Sequence, residues 1–148
     1  MITAKIYISG KISGEQREHY LECFNEAERL LRQLGYVNIV NPVHTWVDRF
    51  PLFHRFLVWF LGEQRAYSVI LLYDLWKLMG CQRIYKIPGW KDSRGAQIES
   101  AVAFNMGMFL ISKPEREAID RHLEKIIMRQ EGSAGKDSPE DSKKQKTK

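Results

Sequence analysis

The chain has 148 residues, 44% of them hydrophobic, and a formal net charge of +5. That length suits one domain, or one domain with a tail, and the apolar fraction is enough for a core. No apolar run nears the roughly 18 residues of a membrane span, and residues 1–10 lack the layout of a secretion signal. Cys23 and Cys81 are the only cysteines and form no CxxC pair, which argues against a disulfide scaffold and for reduced, buried thiols. A soluble cytoplasmic protein is expected. The sequence pI near 9.2 suits an anionic small ligand as well as nucleic acid.

In chain order, residues 5–9 (KIYIS) alternate and are rich in β-formers, which predicts a first strand. Gly10, Ser13 and Gly14 follow as a loop, without the GxGxxG of a dinucleotide fold. Residues 15–35 carry Tyr20, Phe24, Ala27, Leu30, Leu31 and Leu34 at helical spacing, with Gly35 as the stop. Residues 36–40 form a short second strand ending at Asn41-Pro42. Strand, helix and strand within about forty residues make a βαβ unit, hence parallel pairing with a right-handed crossover.

Residues 43–62 hold six large aromatics, Trp46, Phe50, Phe53, Phe56, Trp59 and Phe60. Core or a subunit interface is the plain reading. A base-stacking wall is the sharper one, for Trp46 above all. Left exposed, these rings would form a sticky patch, so self-association through part of residues 43–69 is expected. His44 and His54 lack metal-ligand spacing, and no metal site or cofactor is expected.

Residues 63–79 predict a helix interrupted by Asp74, residues 83–87 a third strand, residues 97–107 a helix, and residues 108–112 a fourth strand. Residues 114–129 predict a last helix with Pro114 in its first turn. Residues 131–148 show no apolar pattern, so a disordered charged tail is expected after a domain of residues 1–130. The tail holds five Lys against four acids and the body 18 basic against 14 acidic residues, so the basic balance is not confined to the tail.

One stretch carries the chemistry. Residues 88–99 read PGWKDSRGAQIE, running from a strand end through a glycine-bearing loop into a helix. In an open α/β sheet such a junction lies at the carboxyl edge, where ligands bind. Ser93 can cap the helix, and Gly95 lets backbone N–H groups approach an anion. Glu99 lies six residues after Ser93, in the first turns of that helix. An ordinary capped surface helix would show the same pattern.

IYISGKISG at residues 6–14, VNP at residues 40–42, the Asp74 helix and the PGWKDSRGAQIE element together resemble the DUF4406 family. That family is similar to the nucleoside 2-deoxyribosyltransferase superfamily, which includes 2′-deoxynucleoside 5′-monophosphate N-glycosidases. The resemblance spans residues 2–112, and SxGxxxE is its most specific part. It implies a flavodoxin-like α/β fold, an open sheet of four to five mainly parallel strands with helices on both faces, commonly in homo-oligomers. It also implies Glu99 as the nucleophile at the anomeric carbon, Asp74 as the acid assisting the leaving base, and Tyr7 beside the nucleophile. Ser9, Gly10, Ser93 and Gly95 match ligand-contacting loops, and Asn41 and Trp46 are counted with them as substrate-binding candidates.

The chain departs from the pattern in two places. Relatives usually carry Asp where Gln82 stands, so an acidic helper or a structural cap is missing. Deoxyribosyltransferases tend to carry Asp at the position of Ser93, whereas the monophosphate N-glycosidases carry Ser, which tolerates a phosphate.

The residue types suit the reaction. Breaking an N-glycosidic bond builds oxocarbenium character that a carboxylate stabilises or traps, while a second carboxylic acid serves the leaving base. The expected function is cleavage or transfer at the N-glycosidic bond of a deoxynucleoside or its 5′-monophosphate. The rival is a non-catalytic nucleotide-binding or regulatory module, prompted by Gln82. Charge and aromatics also admit nucleic-acid binding, which would need a steep salt dependence. A small nucleoside or nucleotide is the expected partner, not nucleic acid and not a membrane.

Overall fold

A computed structural model describes residues 1–12, 14–44 and 51–134, with the side chains of residues 51–54, 57, 133 and 134 left aside. Its strands are β1 (Ile6–Ser9), β2 (Ile39–Val40), β3 (Arg83–Lys86) and β4 (Phe109–Leu110). Its helices are α1 (Arg17–Gln33), α2 (Pro51–Leu61), α3 (Glu63–Met79), α4 (Arg94–Asn105) and α5 (Lys113–Ala134). The strand order is β2-β1-β3-β4 and every pairing is parallel. This is the parallel α/β open sheet that the alternation of short apolar runs with helical runs predicts, with the flavodoxin-like order that the resemblance implies.

The two-residue period of a strand sends alternate side chains to opposite faces. Ile6 and Ile8 of β1 and Tyr85 of β3 enter one core with Ile87, with Phe24 and Leu31 of α1, and with Ile119 and Leu123 of α5. Tyr7 and Ile84 enter the other core with Leu78 of α3 and Ala103 of α4. All four residues of β1 are buried, as befits the strand at the middle of the sheet. Ser9 pairs in register with Lys86, and Tyr7 with Ile84. Both free thiols, Cys23 and Cys81, are buried.

The predicted elements are all present, with edges moved for identifiable reasons. Gly35 has a φ of +95°, a left-handed conformation that glycine adopts at little cost, and α1 stops just before it. β2 and β4 are only two residues long. α4 opens at Arg94, three residues before the predicted start, because Ser93 is extended and its Oγ accepts from Ala96 N at 3.4 Å.

α5 runs to Ala134, past the predicted end at Arg129 and into the segment predicted as tail. Glu115 reaches back over its start, where Ser112 N and Ser112 Oγ donate to Glu115 Oε2 at 3.1 and 2.7 Å. Its far end is tied to α1, where Gln130 Nε2 donates to Glu22 Oε2 at 2.8 Å. The rest of the predicted tail, the loop residue Ser13 and the candidate Trp46 lie outside the described residues. Among the described residues no helix is long and apolar enough to cross a membrane.

Gly10 ends β1 where two packed layers meet. A Cβ on it would lie 2.9 Å from Phe24 Cζ and 3.2 Å from Ile87 Cβ, and Phe24 is 1% exposed, so neither neighbour can yield easily. Gly10→Ala is expected to cost about 1–3 kcal/mol from overpacking, read as a lower urea midpoint at unchanged slope.

Candidate active site

Three elements bring the principal side chains together. Tyr7 and Ser9 stand two residues apart on β1, so both point to the α3–α4 face. Glu99 comes down to them from the second turn of α4. Tyr7 Oη donates to Glu99 Oε1 at 2.8 Å, and Ser9 Oγ donates to Glu99 Oε2 at 2.6 Å. Each carboxylate oxygen thus receives one hydroxyl, and each keeps a further lone pair. Tyr7 and Ser9 are fully buried and Glu99 is 6% exposed.

Burial dominates the electrostatics. It pushes the Glu99 carboxyl up to about 7, against the pull of the Ser9 and Tyr7 hydrogen bonds toward the ionised form. Near neutral pH the group is therefore divided between its two protonation states. The Tyr7 phenol is held well above its ordinary range, first by burial and then by the negative charges of Glu99 and Asp74. Tyr7 remains a proton donor to Glu99 across the physiological range.

Asp74 reaches the same place from α3. It is half-buried, its Oδ1 is shielded from solvent, and its charge acts on the Tyr7 hydroxyl. Ser93 caps α4 and Gly95 lies in its first turn. There the helix leaves backbone N–H groups without intrahelical partners and carries its positive dipole end.

Gly10 and Asn41, expected at the ligand, both have partners on the α1 side. Gly10 is closed in by Phe24 and Ile87 on the α1 side of the sheet. Asn41 Nδ2 donates to Glu28 Oε2 at 2.9 Å, and its Oδ1 accepts from Val43 N at 3.2 Å, so it braces the turn after β2 against α1. Ser9, expected on the ligand, gives its proton to Glu99.

Gln82 has a structural part. Its Oε1 accepts from Lys5 N at 2.7 Å, and it precedes β3, at the amino edge of the sheet and away from Glu99. The amide oxygen caps the start of β1 as a carboxylate would.

Two side chains outside the motifs, Tyr67 and Lys86, also pack at α4. The Tyr67 hydroxyl lies 3.1 Å from where a Cβ on Gly95 would sit, so α3 packs a phenol on the first turn of α4. Its signal is the helical spacing of Tyr67, Leu71, Asp74 and Leu78, which puts all four on one face of α3. Lys86 pairs with Ser9 across the β1–β3 ladder, and alternation along β3 puts it on the α4 face. Among the described residues no group of three or more His, Cys, Asp or Glu side chains could hold a metal ion.

The raised Glu99 carboxyl couples stability to pH. The folded chain holds this proton more tightly than an unfolded one, where the ordinary value is 4.5. The stabilising effect of the protonated form is complete below about pH 4.5 and is lost as pH rises through about 7. Glu99→Gln, neutral at every pH, should gain stability relative to the native chain by roughly 1–3 kcal/mol between pH 5 and pH 8. Paired thermal melts at the two pH values check this.

The family described as a domain of unknown function (DUF4406) matches residues 4–112. No curated protein and no solved structure matches the chain.

Proposed function

The chain belongs to the DUF4406 family, and from that premise we propose that it is a nucleoside 2-deoxyribosyltransferase-like enzyme acting on an N-glycosidic bond. Its substrate would be a deoxynucleoside or, given Ser93 in place of an aspartate, a deoxynucleoside 5′-monophosphate. The observation that carries the reading is the buried Glu99 carboxylate held at both oxygens by Tyr7 and Ser9. Two donors fix the carboxylate's position and leave it free lone pairs, which is the preparation a nucleophile needs.

In the proposed reaction an oxygen of ionised Glu99 attacks the anomeric carbon. The bond to the base breaks and its electron pair leaves with the base. Asp74 serves the leaving base as acid, and Tyr7 keeps the carboxylate oriented as its charge is consumed. Water or an acceptor base then releases the sugar from Glu99. The first turn of α4, with Ser93 at its cap, would cradle a 5′-phosphate.

Incubation with the four deoxynucleoside monophosphates, followed by chromatography for free base, tests the reading directly. Base should be released by the native chain and not by Glu99→Gln, which should still bind nucleotide. Since the ionised form attacks, the acid limb of kcat/KM should rise with pH through about 7. Tyr7→Phe removes a hydrogen bond that favours ionisation, so it should move that limb upward by about one pH unit. Nucleotide binding without base release at any pH would leave a regulatory module in its place.

We also infer that the protein self-associates through the α2–α3 hairpin. Phe56, Trp59 and Phe60 of α2 and Leu72 and Trp76 of α3 are all at least half exposed, with Trp59 at 80%. Phe56 and Phe60 stack with ring centroids 6.1 Å apart, so this is an ordered apolar surface. Light scattering at micromolar concentration should give a multiple of 17.4 kDa, and Trp59→Glu combined with Trp76→Glu should return the mass to one chain.

A further inference from the structure

The outer flank of α4 holds a second concavity that the Glu99 network does not use. It has a volume of about 630 Å³, within the range of small-molecule sites. Its floor is apolar, made by Ile84, Ala103, Met108 and Leu110. The topology explains why it is open. β4 is the edge of the sheet, and the chain leaves it into α5, which packs with α1 on the opposite face. Among the described residues no later strand or helix covers this flank, and Phe104 on its wall is 85% exposed.

One end of the cavity is cationic and aromatic. Lys86 rises from β3 with its Nζ 4.1 Å from the centre of the Trp90 ring and donates to Ser100 Oγ at 3.2 Å. Both partners are neutral. Among the described ion pairs none engages Lys86. Partial burial, aided by the positive charges of Arg116 and Lys91, makes its proton easier to lose. Lys91 lines the same cavity. Among the described residues this half-buried ammonium at the end of an apolar cavity has neutral contacts and no ion-pair partner, which suits it to an anion.

We propose that this cavity binds a small organic anion with a flat apolar body, such as an aromatic carboxylate or sulfonate. The anionic group sits on Lys86 Nζ with Lys91 beside it, and the ring lies on the apolar floor between Trp90 and Phe104. Charge complementarity selects this occupant over a neutral apolar molecule. The proposal does not depend on the reaction assigned to Glu99.

The aromatic sulfonate 8-anilinonaphthalene-1-sulfonate is the probe, followed by fluorescence titration of the full chain, with the uncharged N-phenyl-1-naphthylamine as comparison. Lys86→Gln should weaken the sulfonate by about tenfold or more and leave the neutral dye within about twofold, while Lys86→Arg should retain the sulfonate. Phe104→Glu, at an exposed position that the fold does not need, should also abolish sulfonate binding, and it supplies the readout if Lys86→Gln fails to fold. Sulfonate affinity indifferent to both substitutions would overturn the proposal. So would an equal loss of the neutral dye in Lys86→Gln.

Discussion

Glu99 costs free energy to keep where it is. A carboxylate taken out of water loses its hydration, and only part of that loss is returned by the Tyr7 and Ser9 hydroxyls, which is why its proton is held up to about 7. Much of the local structure serves this one placement. β1 must be fully buried to bring two hydroxyls to the same face, and its register with β3 sets the floor under α4. The Ser93 cap fixes where α4 begins, and so which turn carries Glu99 to the sheet. Gly95 lets α3 close on that first turn, with Tyr67 against it.

The two cores divide the work. The α1–α5 side is the larger and mainly apolar, with Ile6, Phe24, Leu31 and Leu123 packed together. The α3–α4 side is thinner and admits Tyr7, Cys81 and the carboxylates. A sheet with stability supplied from one face can tolerate polar, strained or costly groups on the other. The same asymmetry leaves large apolar residues exposed at the margins, on the α2–α3 hairpin and along the β4 edge. A four-stranded sheet of this size does not have the surface to cover them all.

Gln82 shows how a departure from a family pattern is weighed by position. On the resemblance, either an acidic helper or a structural cap is missing where Gln82 stands. In the fold it holds Lys5 N at the amino edge, and an amide oxygen accepts that hydrogen bond as well as a carboxylate. That hydrogen bond bears on how β1 starts. Asn41 makes the converse point, since a residue in a matching motif turns out to hold α1 through Glu28.

What the sequence determined by itself were the properties that local spacing encodes. Alternation gave β1 and β3, the three- and four-residue period gave α1, α3 and α5, Gly35 gave a helix stop, and Ser93 gave a cap. These follow from bond geometry within a few residues, so a single chain segment carries them. Strand and helix ends moved wherever a distant partner intervened: β2 and β4 are as short as their pairing allows, and α5 lengthened because Gln130 finds Glu22. The meeting of Tyr7, Ser9 and Glu99 belongs to the tertiary structure alone, since those contacts bridge some ninety positions of chain. So does the ionisation of Glu99, because desolvation depends on everything packed around a group and not on its neighbours in sequence.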